Sequence, residues 1–147
     1  MKLDIIADIV TLLAFAVTII TAVYVFFIDQ KVKYISNLFK LFQRLAEQLA
    51  DLKKEAAKLK KYSRGTEDDQ FQLQEIVNTI SAICHNIEKK TKRQDKIEFL
   101  GLKEVIQACR NYSKRHISGE EVSDLHSDLT RLIRNIEEEK KDSQVIV

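Results

Sequence analysis

The chain has 147 residues and a formal net charge of +2, with 24 Lys/Arg against 22 Asp/Glu. Three glycines, no proline and no tryptophan exclude turn-rich β architectures and point to an all-α protein. The near-neutral total hides an uneven distribution: residues 30–64 hold ten Lys/Arg and three Asp/Glu, net +7, and residues 65–147 hold thirteen and sixteen, net −3.

The first element is a membrane-length segment. From Ile9 to Ile28 there is no charge, glycine or proline, and about twenty apolar residues suffice to cross a bilayer as a helix. On a helical wheel Asp8, Thr11, Ala14, Thr18, Thr21 and Ala22 share one face, while Ile9, Leu13, Ile19, Ile20 and Phe27 occupy the other. Small and hydroxyl side chains let helices approach closely, and polar residues at membrane depth face a partner or a water-filled cavity. This pattern predicts an oligomerising helix, with pore lining as a further reading. A plain anchor, whose threonines bond carbonyls one turn back, is the alternative.

A cleavable signal is not expected. The apolar run is too long, and Val25-Phe26-Phe27-Ile28 offers no small-x-small pattern. Lys31, Lys33, Lys40 and Arg44 follow the segment, whereas Lys2 precedes it with Asp4 and Asp8. The positive-inside rule then places the N-terminus outside and the rest in the cytoplasm of a bacterial inner membrane. Residues 1–30 read as this span with a short tail. The basic stretch after it suits anionic lipid, with RNA as the other polyanion it fits.

The soluble part, 31–141, reads as a cytoplasmic helical bundle continuous with the anchor, with helices over about 32–62, 66–91, 95–114 and 119–141. Ile35, Leu38, Phe42, Leu45, Leu49, Leu52, Ala56 and Leu59 recur three and four residues apart, a heptad stripe. It has two uses: a coiled coil between subunits, with Ile35, Leu38, Phe42 and Leu45 as a basal oligomer contact, or packing on the chain's own later helices. Phe39 and Leu41 widen its apolar arc.

After a Ser63-Arg64-Gly65 turn, Thr66 is the expected N-cap of the next helix. That helix carries Leu73, Ile76, Val77, Ile80, Ile83, Cys84 and Ile87 on one face. A third, from about Asp95, turns Leu100, Val105, Ile106, Cys109 and Tyr112 inward. Ser118-Gly119-Glu120-Glu121 is a capping box for the fourth, whose apolar face runs from Val122 to Ile136. Residues 142–147 have neither cap nor period and read as a loose tail.

No phosphate-binding glycine loop, nucleophile elbow or His-Glu-x-x-His motif is present. Cys84 and Cys109 read as buried structural thiols, and no metal, cofactor or small-molecule substrate is expected. One motif remains: Arg110-Asn111-Tyr112-Ser113-Lys114-Arg115-His116, between the last two helices. Here residues 66–141 resemble the HEPN superfamily, compact α-helical bundles with an Arg-x(4–6)-His motif, often with Asn after the Arg. Many are metal-independent ribonucleases that build one site from two motifs across a dimer. The resemblance implies that Arg110 stabilises the scissile phosphate, His116 is the acid/base group and Asn111 orients backbone or substrate. Attack of a 2′-hydroxyl on its phosphate requires those two services, and Lys114 and Arg115 would hold the strand.

Anchor, small bundle and motif together resemble the membrane-anchored accessory proteins of type VI-B CRISPR systems. That resemblance implies an oligomeric membrane pore that strengthens antiviral defence once an RNA-guided nuclease is active. Asp4 and Asp8 at one mouth and Asp29 at the other would favour cations. Three functions follow: a pore-forming oligomeric effector, a tethered endoribonuclease, or a membrane scaffold for a protein partner. The expected partners are membrane lipid, further copies of the chain, and RNA or an RNA-guided nuclease.

Overall fold

The computed structural model describes residues 2–62, 66–94 and 98–145. Four helices follow in order: α1 (Lys2–Lys61), α2 (Gln70–Gln94), α3 (Leu102–Tyr112) and α4 (Gly119–Val145), with a 3-10 turn at Glu67–Asp69 before α2. Among the described residues there is no strand. The chain divides into two compact units, residues 1–36 and 37–147.

The first unit is the apolar part of α1. The absence of glycine and proline lets the helix run unbroken. Its large apolar side chains are exposed from Ile5 to Ile28.

The second unit has a hydrophobic core built from all four helices. From α1, Leu38, Leu41, Phe42, Leu45, Leu52, Ala56 and Leu59 are buried, the heptad spacing turned inward. From α2 the buried set is Leu73, Ile76, Val77, Ile80, Ile83, Cys84 and Ile87, and from α4 Val122, Leu125, Leu129, Leu132, Ile133 and Ile136. Both match the faces expected from periodicity. Lys90 Nζ donates to the Arg44 carbonyl at 3.0 Å, while Glu55 and Lys58 share a cleft with Glu75 and Thr79. Residue numbers thus fall along α2 as they rise along α1, so the two helices run in opposite directions. The same holds for α1 and α4, where Lys53 pairs with Glu137 and Phe42 shares a cleft with Ser143.

Several expectations need correction. α3 begins at Leu102, not near Asp95, which lies outside the described residues. Gly101 precedes it at φ 91°, a left-handed conformation that only glycine adopts without strain. The turn buries Phe99, which packs 6.2 Å from Phe42 between ring centroids, and leaves Leu100 exposed rather than inward. Leu102 takes the core position instead. α4 continues to Val145, so the loose tail does not begin at Asp142, and Ser143 is buried with its hydroxyl donating to the Lys140 carbonyl at 2.6 Å. The Ser63-Arg64-Gly65 turn lies outside the described residues. Thr66 flanks the 3-10 turn, but its hydroxyl donates to the Asp69 carboxylate at 2.6 Å rather than accepting a backbone N–H.

Cys84 and Cys109 are free and fully buried. Burial pushes each thiol from its ordinary 9.0 up to about 12, and for Cys84 the neighbouring Cys109 adds to the rise. The thiolate is the reactive form, so the folded protein at pH 8.5 resists iodoacetamide, whereas both cysteines alkylate in urea. The thiol contribution to stability is fully present below the unfolded thiol's pKa and is lost as pH rises through about 12. Mass spectrometry that finds either cysteine modified in the folded state contradicts this packing.

Candidate functional site

On the first unit, Asp8, Thr11, Ala14, Thr18, Thr21 and Ala22 are all exposed. The threonines have settled their hydroxyl hydrogens locally. Thr11 Oγ1 donates to the Ala7 carbonyl, Thr18 to Ala14 and Thr21 to Val17, each at 2.8 Å. What the face offers a neighbour is small volume and hydroxyl lone pairs rather than free donors. Ala14, Thr18 and Ala22 are four residues apart, the small-x-x-x-small spacing that permits close helix approach. At the end of this unit Asp29 pairs with Lys33 at 2.7 Å across one helical turn.

The basal stripe is placed otherwise. Leu38, Phe42 and Leu45 are buried within the chain's own second unit, and Ile35 is half-buried. Within one chain the stripe shares a core with residues of α2 and α4 and with Phe99, the second of its two expected uses. Glu55 is buried and accepts a 2.7 Å bond from Lys58 on its own helix.

The Arg110 to His116 motif falls on the last turn of α3 and the turn leading to α4. Two devices hold this junction. The capping box forms as expected: the Ser118 N–H donates to Glu121 Oε2 at 3.0 Å, and the Glu121 N–H donates to Ser118 Oγ at 3.3 Å. The second device gave no sequence signal. Gln70, at the start of α2, accepts from the Ile117 N–H at 2.9 Å and donates to the Ile117 carbonyl at 3.0 Å. This two-point clamp anchors the buried Ile117 from a residue 47 positions away.

Within the motif the side chains divide by role. Arg115 does not lie free for a nucleic-acid strand. Its guanidinium donates to Glu121 at 2.5 Å and lies 5.2 Å over the Tyr112 ring, a cation–π arrangement. Asn111 Oδ1 accepts from Gln107 one turn back at 3.1 Å. Arg110, Lys114 and His116 are exposed, with no side-chain hydrogen bond or ion pair among the described residues. The turn therefore brings a cation and an imidazole to one solvent-facing junction.

Arg115, followed by the Ser118 N–H, holds the Glu121 carboxyl below its usual 4.5. A depressed carboxylate stabilises above the unfolded value, and that stability is lost as pH falls through the folded one. Glu121→Gln, which keeps an acceptor for the Ser118 N–H but removes the charge paired with Arg115, is accordingly expected to cost about 0.2–1 kcal/mol, the range of a partly exposed ion pair, with a deficit that shrinks as pH falls below 4.5. Equal deficits at pH 7 and pH 3 in urea unfolding would rule out this role.

No protein-family model matches the chain, and no curated protein or solved structure matches it either.

Proposed function

We propose that this chain is a single-pass membrane effector whose spans assemble through the Thr11, Thr18 and Ala22 face, with the second unit an antiparallel helical bundle in the cytoplasm. One observation carries the reading. The apolar window of α1 is 0% buried by the rest of the chain. Each large apolar side chain left in water forgoes roughly 1.5–3 kcal/mol, and this segment has more than a dozen. A bilayer is the environment that covers all of them at once, and the helix leaves no backbone group unpaired there.

Lipid does not distinguish the two faces of the span; a neighbouring helix does. Because the threonine hydrogens are satisfied within the helix, packing of small side chains supports assembly more than hydrogen bonds between helices. A ring of such faces around a narrow lumen makes a pore, the output that resemblance to the type VI-B accessory proteins implies.

The test is expression in bacteria with membrane potential and total RNA followed in one culture. Thr11→Leu and Thr18→Leu are expected to abolish depolarisation while membrane integration persists. Arg110→Ala with His116→Ala is expected to leave depolarisation in place. A tethered ribonuclease gives the reverse pattern. RNA then decays, and loss of either Arg110 or His116 slows decay about a hundredfold or more, as for general acid–base and charge-stabilising groups. The exposure of both side chains at one junction keeps that second reading testable.

A further inference from the structure

The apolar run of α1 is bracketed by two charged stations on its small, hydroxyl-bearing side. At 100° per residue Asp29 falls in line with Thr11, with Lys33 about 40° and Asp8 about 60° to one side. Lys31 lies about 160° from Thr11, among the large apolar groups. Asp29 follows Asp8 by about 32 Å of helix at 1.5 Å per residue. A hydrocarbon core is about 30 Å thick, so each station falls at a boundary, where water reaches it.

The stations differ in charge. Asp29 pairs with Lys33 at 2.7 Å on the same side of the helix, so its carboxylate is balanced there. Asp8 is exposed, with no ion-pair or hydrogen-bond partner among the described residues. A ring of balanced pairs carries no net charge with which to enrich either sign of ion. A ring of lone carboxylates enriches cations and depletes anions.

We propose that the Asp8 carboxylates of neighbouring copies form the ring that selects cations in the pore, and that the Asp29–Lys33 pairs form a mouth without preference. This rests on the pore reading above and adds to it the class of permeant ion and the residue that chooses it. One chain cannot make the site. A single exposed carboxylate encloses nothing, and assembly through the Thr11 and Thr18 face is what brings several together. Asp29, expected to favour cations at the second mouth, is withdrawn from that role by Lys33 one turn on. The selecting charge therefore lies at one end of the span, the end nearer the N-terminus.

The test uses the full chain reconstituted in planar phosphatidylcholine bilayers, with integration scored by alkaline extraction of vesicles of the same lipid. The reversal potential in a KCl gradient gives the permeability ratio of K⁺ to Cl⁻. The unaltered chain is expected to pass K⁺ in preference to Cl⁻. A unit charge about 4 Å from an ion in water changes the local concentration of that ion about fivefold. Asp8→Asn is therefore expected to lower the ratio at least about fivefold, whereas Asp8→Glu keeps it. Asp29→Asn combined with Lys33→Gln removes both members of the pair and is expected to leave the ratio unchanged. Lys33→Gln alone frees the Asp29 carboxylate and is expected to raise it. A conducting chain without cation preference overturns the proposal. So does a preference that survives Asp8→Asn, that is absent in Asp8→Glu, or that is lost when Asp29 and Lys33 are changed together. An integrated chain that carries no current removes the pore reading, and the cation filter with it.

Discussion

Leu45→Ala is expected to destabilise the second unit by about 2–5 kcal/mol, the cost of a cavity left by a buried leucine. Leu45 is 2% exposed, beside Phe42 and Leu41 in the single chain's core. The loss is therefore a property of each chain, and the midpoint of thermal unfolding falls by the same amount at any protein concentration. A basal contact between subunits makes a different prediction. There the substitution would dissociate multimers, and the midpoint would depend on concentration through mass action. Circular dichroism melts at several detergent-solubilised protein concentrations separate the two. A concentration-dependent midpoint would restore the stripe to an interface.

Ile20→Arg is expected to lower membrane integration about a hundredfold, since an arginine at the centre of a span costs about 2.5–3.5 kcal/mol on insertion scales. Ile20 lies on the wide apolar face, about 160° from both Thr18 and Ala22 at 100° per residue, so no neighbouring helix is placed to shelter the charge. The variant then collects in the soluble fraction with the helices of its second unit folded. If α1 functioned as a water-exposed helix, an arginine at this exposed site would improve solubility and change nothing else. Fractionation after alkaline extraction, with helical content measured on the released protein, decides between these outcomes.

How much of this was legible in advance depends on how local the cause was. The faces of α2 and α4 were readable because burial at every third or fourth residue is written directly in the sequence: Leu73 to Ile87 and Val122 to Ile136 are buried as their spacing requires. The Ser118–Glu121 box was readable for the same reason, since cap and partner lie three residues apart. The start of α3 was not. Asp95 looks like a helix start, but burial of Phe99 against Phe42 and the left-handed Gly101 delay the helix to Leu102. The stripe on α1 was visible, yet nothing in one sequence distinguishes packing on another copy from packing on one's own later helices. In the motif, Lys114 and Arg115 are adjacent and read alike as strand-holding cations. Only the approach of Glu121 and Tyr112 separates a structural arginine from a solvent-facing lysine.

The central claim is that spans meet through their small, hydroxyl-bearing face, and paired cysteine crosslinking tests it most directly. Thr18→Cys and Ile20→Cys sit on opposite sides of one helix, separated by about 160° at 100° per residue. Both are compared in native membranes with the buried Cys84 and Cys109 as an internal background. Assembly through the polar face predicts multimers from Thr18→Cys and little crosslinking from Ile20→Cys. Equal yields from the two sites, or none from either, would contradict it.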